Sequence, residues 1–438
     1  MPTPIDATGF AARRSRFLQG LGPDAALLVA PPHHHRNADT EYRYRQSSDL
    51  VYLTGWEDPE VVALFRPLSD QPFVLFVQPK DPEREVWTGI REGVVGAKER
   101  YGADAAYPIH ELASRLPALL MGYGTLHYRP GEDLVMDRSV FGAIRGMAKP
   151  AARNGGEIPW RFVDPGRLVG ELRLRKEPAE LALLREAARI SCDAHIRAMA
   201  TGRPGVAEYE VEAVVDGHFR RQGGNGPGYT TIVGGGKNAC ILHYVTNRER
   251  LRDGDLCLVD AGCEVNYYTA DITRTWPVGG RFSGAQRQLY EVVLAAQIDA
   301  IDAARVGRPY REMHDVAVRR LTEGMVRLGI LQGDVAENIH NESFKRYYMH
   351  GTGHWLGLDV HDAGVYWHGF KSRTLEAGMV LTVEPGLYIP PDDTLAPEAF
   401  RGIGIRIEDD IHVTADGPEN LTAACPKHVG DVEAACRA

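Results

Sequence analysis

Four acidic residues stand in segments that otherwise read as buried β-strands, and no other feature of this sequence restricts its fold as much. Asp260 closes GDLCLVD, a run that is apolar on both faces, as in a strand covered on both sides. Asp271 follows a turn near Glu264–Asn266, within YYTADITRTWPV, a stretch rich in β-formers. Glu384 ends the strand-like GMVLTVE. Glu408 lies in GIGIRIEDDIHV, where Ile403, Ile405 and Ile407 alternate with Gly404, Arg406 and Glu408. Period-two geometry puts Arg406 and Glu408 on one face of that strand.

An unpaired carboxylate in such a setting is costly or takes up a proton, so something must compensate it. Any one of these acids alone would more often be a structural residue held by an ion pair or a turn. With His354 of HGTGHWLG, the four form a ligand set suited to two divalent cations. Hard oxygen donors with one imidazole favour Mn²⁺, although Zn²⁺ or Co²⁺ would bind the same set more tightly on the Irving–Williams order.

At 438 residues the chain exceeds one ordinary core, so two domains are expected, here 1–170 and 175–438. The first part reads as mixed α/β, with strand-like runs at Ala25–Val29, Val61–Phe65 and Phe73–Val77. Leu112, Leu116, Leu119 and Leu120 then mark one face of a helix. The polar, Gly-rich run 150–160 reads as a boundary. Beyond it, Pro178 opens a helix with Leu181, Leu184 and Ala188 inward, and Ser283 with Gln286 forms a capping box. A further helix starts near Arg311, carries Met313, Ala317, Leu321 and Leu328, and stops at Gly329. Strands and helices in this order indicate an α+β domain with a curved, mainly antiparallel sheet.

Fifty basic against 59 acidic side chains give a net charge of −9, which argues against nucleic acid or an anionic membrane as partner. The N-terminal MPTPIDATGF lacks the basic and apolar regions of a signal peptide, and no apolar run approaches the ~20 residues of a membrane span. Six cysteines without a C-x-x-C pair fit reduced thiols and a cytoplasmic location.

DAGCEVNYYTADITRTWPV, HGTGHWLGLDVHDAG, MVLTVEPGLYI and GIRIEDD resemble the successive motifs of the metal-dependent pita-bread peptidases. RNADTEYRYRQSSDLVYLTGWEDPE, from Arg36 to Glu60, is similar to the N-terminal signature of their aminopeptidase P members, and less so to prolidase. The resemblance implies a pita-bread catalytic domain and release of the N-terminal residue from peptides with proline second. The alternatives are an Xaa-Pro dipeptidase and, from another class, a non-catalytic binding protein on the same fold. It implies Asp260, Asp271, His354, Glu384 and Glu408 as ligands of two cations, with Asp271 and Glu408 bridging and Glu384 doubling as general base.

It further implies that His243 and His361 contact the scissile carbonyl and that His350 walls the proline pocket, with Tyr229 and Trp355 as other candidate walls. Arg406 would orient a metal carboxylate, joined by Tyr388. Family oligomers imply a homodimer or homotetramer in which Asp39, and less readily Trp87, reach a neighbouring site. For Trp87 plain packing is the simpler expectation, and His33, His34 and His35 read as a solvated turn.

Overall fold

The computed structural model describes residues 5–437; Met1–Pro4, which open the N-terminal stretch considered above, and Ala438 lie outside the described residues. The described chain divides into two units, meeting between Arg173 and Leu174.

The first unit is built on six strands: β1 (Ala25–Val29), β2 (Val62–Phe65), β3 (Phe73–Val77), β4 (Ala105–Pro108), β5 (Thr125–His127) and β6 (Arg161–Val163). Their spatial order is β4-β3-β2-β1-β5-β6. β1, β2 and β3 pair antiparallel, and β4, β5 and β6 add parallel, so the sheet is mixed. Leu27, Leu64, Val74 and Phe76 pack on Leu112, Leu116 and Leu120 of the expected helix and on Val140, Ile144 and Met147 of the helix Leu134–Asn154.

The run 150–160 is not a boundary. Pro150 lies inside the helix Leu134–Asn154, Gly155 caps it at φ 74°, and Arg161–Val163 returns as an edge strand of the same sheet. Its glycine serves a helix C-terminus, which composition alone does not distinguish from a linker. His35–Asn37 pairs with Thr40–Glu41 in a short exposed hairpin rather than a simple turn, with His33 Nδ1 3.0 Å from Glu41. Trp87 is not packed: it is 87% exposed, on the helix Pro82–Thr88.

In the second unit every strand pairing is antiparallel among the described residues. β7 (Ile232–Gly235), β8 (Leu256–Asp260) and β9 (Thr273–Pro277) form one sheet, and the pair β8/β9 sets Asp260 opposite Thr273. The turn after β8 is centred on Asn266 and Tyr267, at φ 48° and 71°, slightly beyond the expected Glu264–Asn266. β10 (Val380–Val383) pairs with β13 (Asp409–Thr414), and β11 (Gly386–Tyr388) with β12 (Gly404–Arg406).

GIGIRIEDDIHV is therefore two strands, not one. The chain changes partner at Ile407 and Glu408, because Pro385 interrupts the facing strand between β10 and β11. The helix Gly284–Ala303 begins with the expected Ser283/Gln286 capping box, and the helix Arg311–Arg327 buries Met313, Ala317 and Leu321. No helix among the described residues is long and apolar enough to cross a membrane.

Candidate metal centre

The breaks in the strands of the second unit bring the acids together. Asp260 is the last residue of β8, Asp271 precedes β9, Glu384 follows β10, and Glu408 sits in the step between β12 and β13. Backbone bonds knit these ends: the Glu408 N–H donates to the Thr273 carbonyl, and the Glu384 N–H to Thr352. His354 lies on an irregular segment locked to β10, its N–H donating to Thr382 Oγ1 and its carbonyl accepting the Thr382 N–H.

All five residues line one cavity of about 480 Å³. His243, His350, His361, Arg406 and Tyr229 share its wall. Ligand atoms of Asp271, His354 and Glu408 lie within 4.8 Å of one another. His354 Nε2 is 3.4 Å from Asp271 and 3.6 Å from Glu384. Tyr229 Oη stands 2.6 Å from Asp260 and 2.5 Å from Asp271, so one phenol proton serves both carboxylates.

Arg406 is the principal cation facing this group. Its Nη2 donates to Asp260 at 2.6 Å, its Nη1 to Tyr388 at 3.1 Å, and its Nε to Thr273 at 3.0 Å. Thr273 in turn donates to Glu408 at 2.6 Å, so Arg406 and Glu408 reach the same wall although their strand is broken between them. Tyr388 is buried behind the cavity and contacts His350 Nε2 at 2.9 Å.

One guanidinium and one imidazolium cannot neutralise four carboxylates. Burial pushes the Asp260 carboxyl up, but Arg406 outweighs it and holds that group below the ordinary range. Burial and then the Asp260 charge raise Asp271; burial lifts Glu384 to about 7; burial and the Asp271 charge push Glu408 well up. Burial opposes the charge of His354, yet Asp271 and Glu384 prevail and raise it to about 9. The arrangement thus crowds more carboxylates than cations into one cleft, where their charged forms are disfavoured unless something further compensates them, with oxygen donors and one imidazole close together. That donor chemistry fits divalent cations.

Burial and then Arg406 lower His350 to about 4; burial and then His354 lower His361, whose ring packs on His354 at 4.3 Å between centroids. Both are therefore neutral at neutral pH and able to donate one ring N–H.

Other residues fall outside the expected roles. Trp355 is fully buried, stacked on Tyr366 and paired across a β-bridge with Leu381, so it walls the core and not the cavity. Ile232, Leu242, Val245 and Val360 supply the apolar lining instead. Asp39 and Trp87 belong to the first unit and are exposed there. The sequence reading passed over Thr273 and over Asp410, whose buried carboxylate accepts the Asp271 N–H. Asp410 continues the period-two set from Glu408 and was detectable on that ground; nothing in the sequence marks Thr273 apart from other strand threonines.

Residues 182–415 match metallopeptidase family M24, and residues 10–127 match the aminopeptidase P N-terminal domain. The chain is 45% identical over 433 residues to the Xaa-Pro aminopeptidase of Escherichia coli, with 98% of each covered. It is 34% identical to human Xaa-Pro aminopeptidase 3, over 98% of this chain and 85% of that protein. The structure of Pseudomonas aeruginosa aminopeptidase PepP superposes with a TM-score of 0.96 at 46% identity, covering 99% of this chain and 98% of that one. E. coli aminopeptidase P matches at a TM-score of 0.95 and 44% identity over 99% of both chains; a variant has been solved with substrate and a zinc-substituted form with product. These matches favour an Xaa-Pro aminopeptidase over a dipeptidase or a non-catalytic relative. With two sequence units, a mainly antiparallel pita-bread unit and a whole-length match, the chain belongs to metallopeptidase family M24, among its Xaa-Pro aminopeptidases.

Proposed function

We propose that this chain hydrolyses the bond before a penultimate proline, at two divalent cations, preferably Mn²⁺, held by Asp260, Asp271, His354, Glu384 and Glu408. The observation that carries this reading is the convergence of three buried carboxylates, the half-buried Glu384 and one imidazole on a single cavity with too little positive charge to balance them. When bound, such cations polarise the peptide carbonyl and supply nucleophilic water at neutral pH.

The chain's own residues then have distinct tasks. Glu384 is the proton acceptor, 3.8 Å from His350 and 3.6 Å from His354. His243 and His361 donate to the oxygen of the scissile carbonyl as charge builds there, and His350 sides the proline ring. Arg406 fixes the rotamer of Asp260, with Tyr388 at its back. Ile232, Leu242, Val245 and Val360 give the ring an apolar seat, and Tyr229 closes it beside Asp260 and Asp271.

Residues 1–170 form the aminopeptidase P-type N-terminal domain and 175–438 the catalytic domain. In a homodimer or homotetramer, the exposed Asp39 and Trp87 are available to a neighbouring copy. Six free cysteines suit a cytoplasmic setting.

The test compares Mn²⁺-loaded enzyme on Ala-Pro-Ala and Ala-Pro, beside a metal-stripped control. Free alanine and Pro-Ala from the tripeptide are expected. Cleavage of the dipeptide alone makes it a dipeptidase, and no metal-dependent cleavage of either defeats the proposal.

A further inference from the structure

The segment 241–249 has no helix or strand of its own, yet it contributes Leu242, His243 and Val245 to the cavity. Ile241 and Val245 are 53% and 49% exposed, so apolar packing holds it only through Leu242 and Tyr244, which rest against Ile232, Ala239, Leu258 and Tyr388. Such a segment keeps one conformation only where side chains satisfy and pin its backbone. Two pins stand out.

Asn247, buried at φ 46°, accepts the Val233 N–H and donates to the Thr231 carbonyl and to Glu212. The second pin is Glu208, fully buried at the first position of the helix Glu208–Arg221. Its Oε1 accepts the Gly235 N–H and the Asn238 side-chain amide, each at 2.9 Å. Its Oε2 accepts the Tyr244 hydroxyl and the Glu249 N–H, again each at 2.9 Å.

These four donors all lie between residues 235 and 249, and all are neutral. Together with the positive end of the helix dipole they make a buried carboxylate tolerable. A well-packed apolar residue would fill the same volume without that desolvation cost. The acid's use is thus to be found in what it holds. Tyr244 turns back to Glu208, while its neighbours His243 and Val245 line the cavity.

We infer that Glu208 is a positioning residue for the substrate wall, acting through Tyr244 on the placement of His243. This rests on the carbonyl-contact reading of His243 given above.

A double-mutant cycle on Mn²⁺-loaded enzyme with Ala-Pro-Ala tests it. Glu208→Gln turns an amide NH₂ toward donors and is expected to lower kcat/KM by about tenfold to 10²-fold, the scale of a small misplacement. Metal content should stay unchanged, because the segment carries none of the five ligands. In a His243→Ala background the same substitution should cost less than about twofold. Should Glu208→Gln not fold, Tyr244→Phe removes a single donor and runs the same cycle with a loss of about twofold to tenfold.

Full activity in both Glu208→Gln and Tyr244→Phe overturns the inference, as does a loss of bound metal in either. If His243→Ala is impaired and the second loss adds in full, the inference falls while the His243 reading stands. If His243→Ala is as active as the parent, that reading falls first and takes the inference with it.

Discussion

Glu408 and Asp409 are adjacent and both fully buried, yet they belong to acidic regions built on opposite principles. Asp409 faces away from the cavity into a ring of donors. Arg274 lies at 2.6 Å, Lys427 at 2.5 Å, Gln297 at 2.7 Å, Thr422 at 2.8 Å and Asn420 at 3.0 Å. Burial pushes its carboxyl up, but Arg274 and Lys427 outweigh that and hold it far below the ordinary range. Glu408 instead receives one hydroxyl, from Thr273, and faces Asp271; burial and that charge push it well up. The protein completes the first acid with its own groups and leaves the second incomplete. A buried acid that the chain does not neutralise is the mark of a site that something else completes.

The comparison is broken most severely by Asp271→Asn. We expect turnover of Ala-Pro-Ala to fall by more than about 10³-fold, beyond the cost of one carbonyl donor. The melting temperature of the metal-free protein should not drop, since one repelling charge has gone. Retained turnover, or a collapsed fold, would contradict the division between the two regions.

Asp409→Asn should do the reverse. It leaves Arg274 and Lys427 without their buried counter-charge and is expected to cost about 3–5 kcal/mol in urea unfolding. Folded molecules should still take up metal. A loss below about 1 kcal/mol would mean the network is no stronger than a surface pair.

Arg406→Lys sits between the two. It keeps the charge but forfeits the fork that reaches Asp260, Tyr388 and Thr273 together, and should weaken Mn²⁺ affinity about 10- to 100-fold. Titration of activity with Mn²⁺ reads this, and an unchanged midpoint would remove the positioning role.

The smallest effect is in pH. His354 is raised to about 9 from its usual 6.5. Its charged form therefore stabilises the metal-free fold fully below pH 6.5, and that contribution is lost as pH rises through 9. Metal-free protein should melt a few degrees lower at pH 9 than at 6.5. Excess Mn²⁺ should flatten that slope, because the neutral imidazole is the ligand form. A metal-free melting temperature that rises over this window would contradict the charge balance described here.

Much of this was legible in the sequence because acids inside apolar strands violate local patterning, and a violation is informative. Asp260, Asp271, Glu384 and Glu408 were visible that way, and the regular elements around them followed from caps such as Ser283 and periodic leucines such as Leu112 and Leu116. What could not be read depended on contacts distant along the chain. The strand break at Ile407 arises from Pro385, 22 residues upstream, and Trp355, an aromatic beside His354 in sequence, is held in the core by its stacking on Tyr366. Thr273 ties Arg406 to Glu408 across more than a hundred residues, with no local signature. The run 150–160 shows the converse: glycine and polar composition describe a helix end and a linker equally well.

The most direct test of the central claim is metal content per chain by elemental mass spectrometry after dialysis against Mn²⁺ and removal of the excess. The comparison is between the parent, Asp271→Asn and the folded fraction of Asp409→Asn. We predict about two ions for the parent, as in two-metal aminopeptidase sites, fewer than about one for Asp271→Asn, and the parent's number for Asp409→Asn. Equal metal in the parent and Asp271→Asn would contradict the account, for it would mean that the uncompensated acids are not what holds the cations.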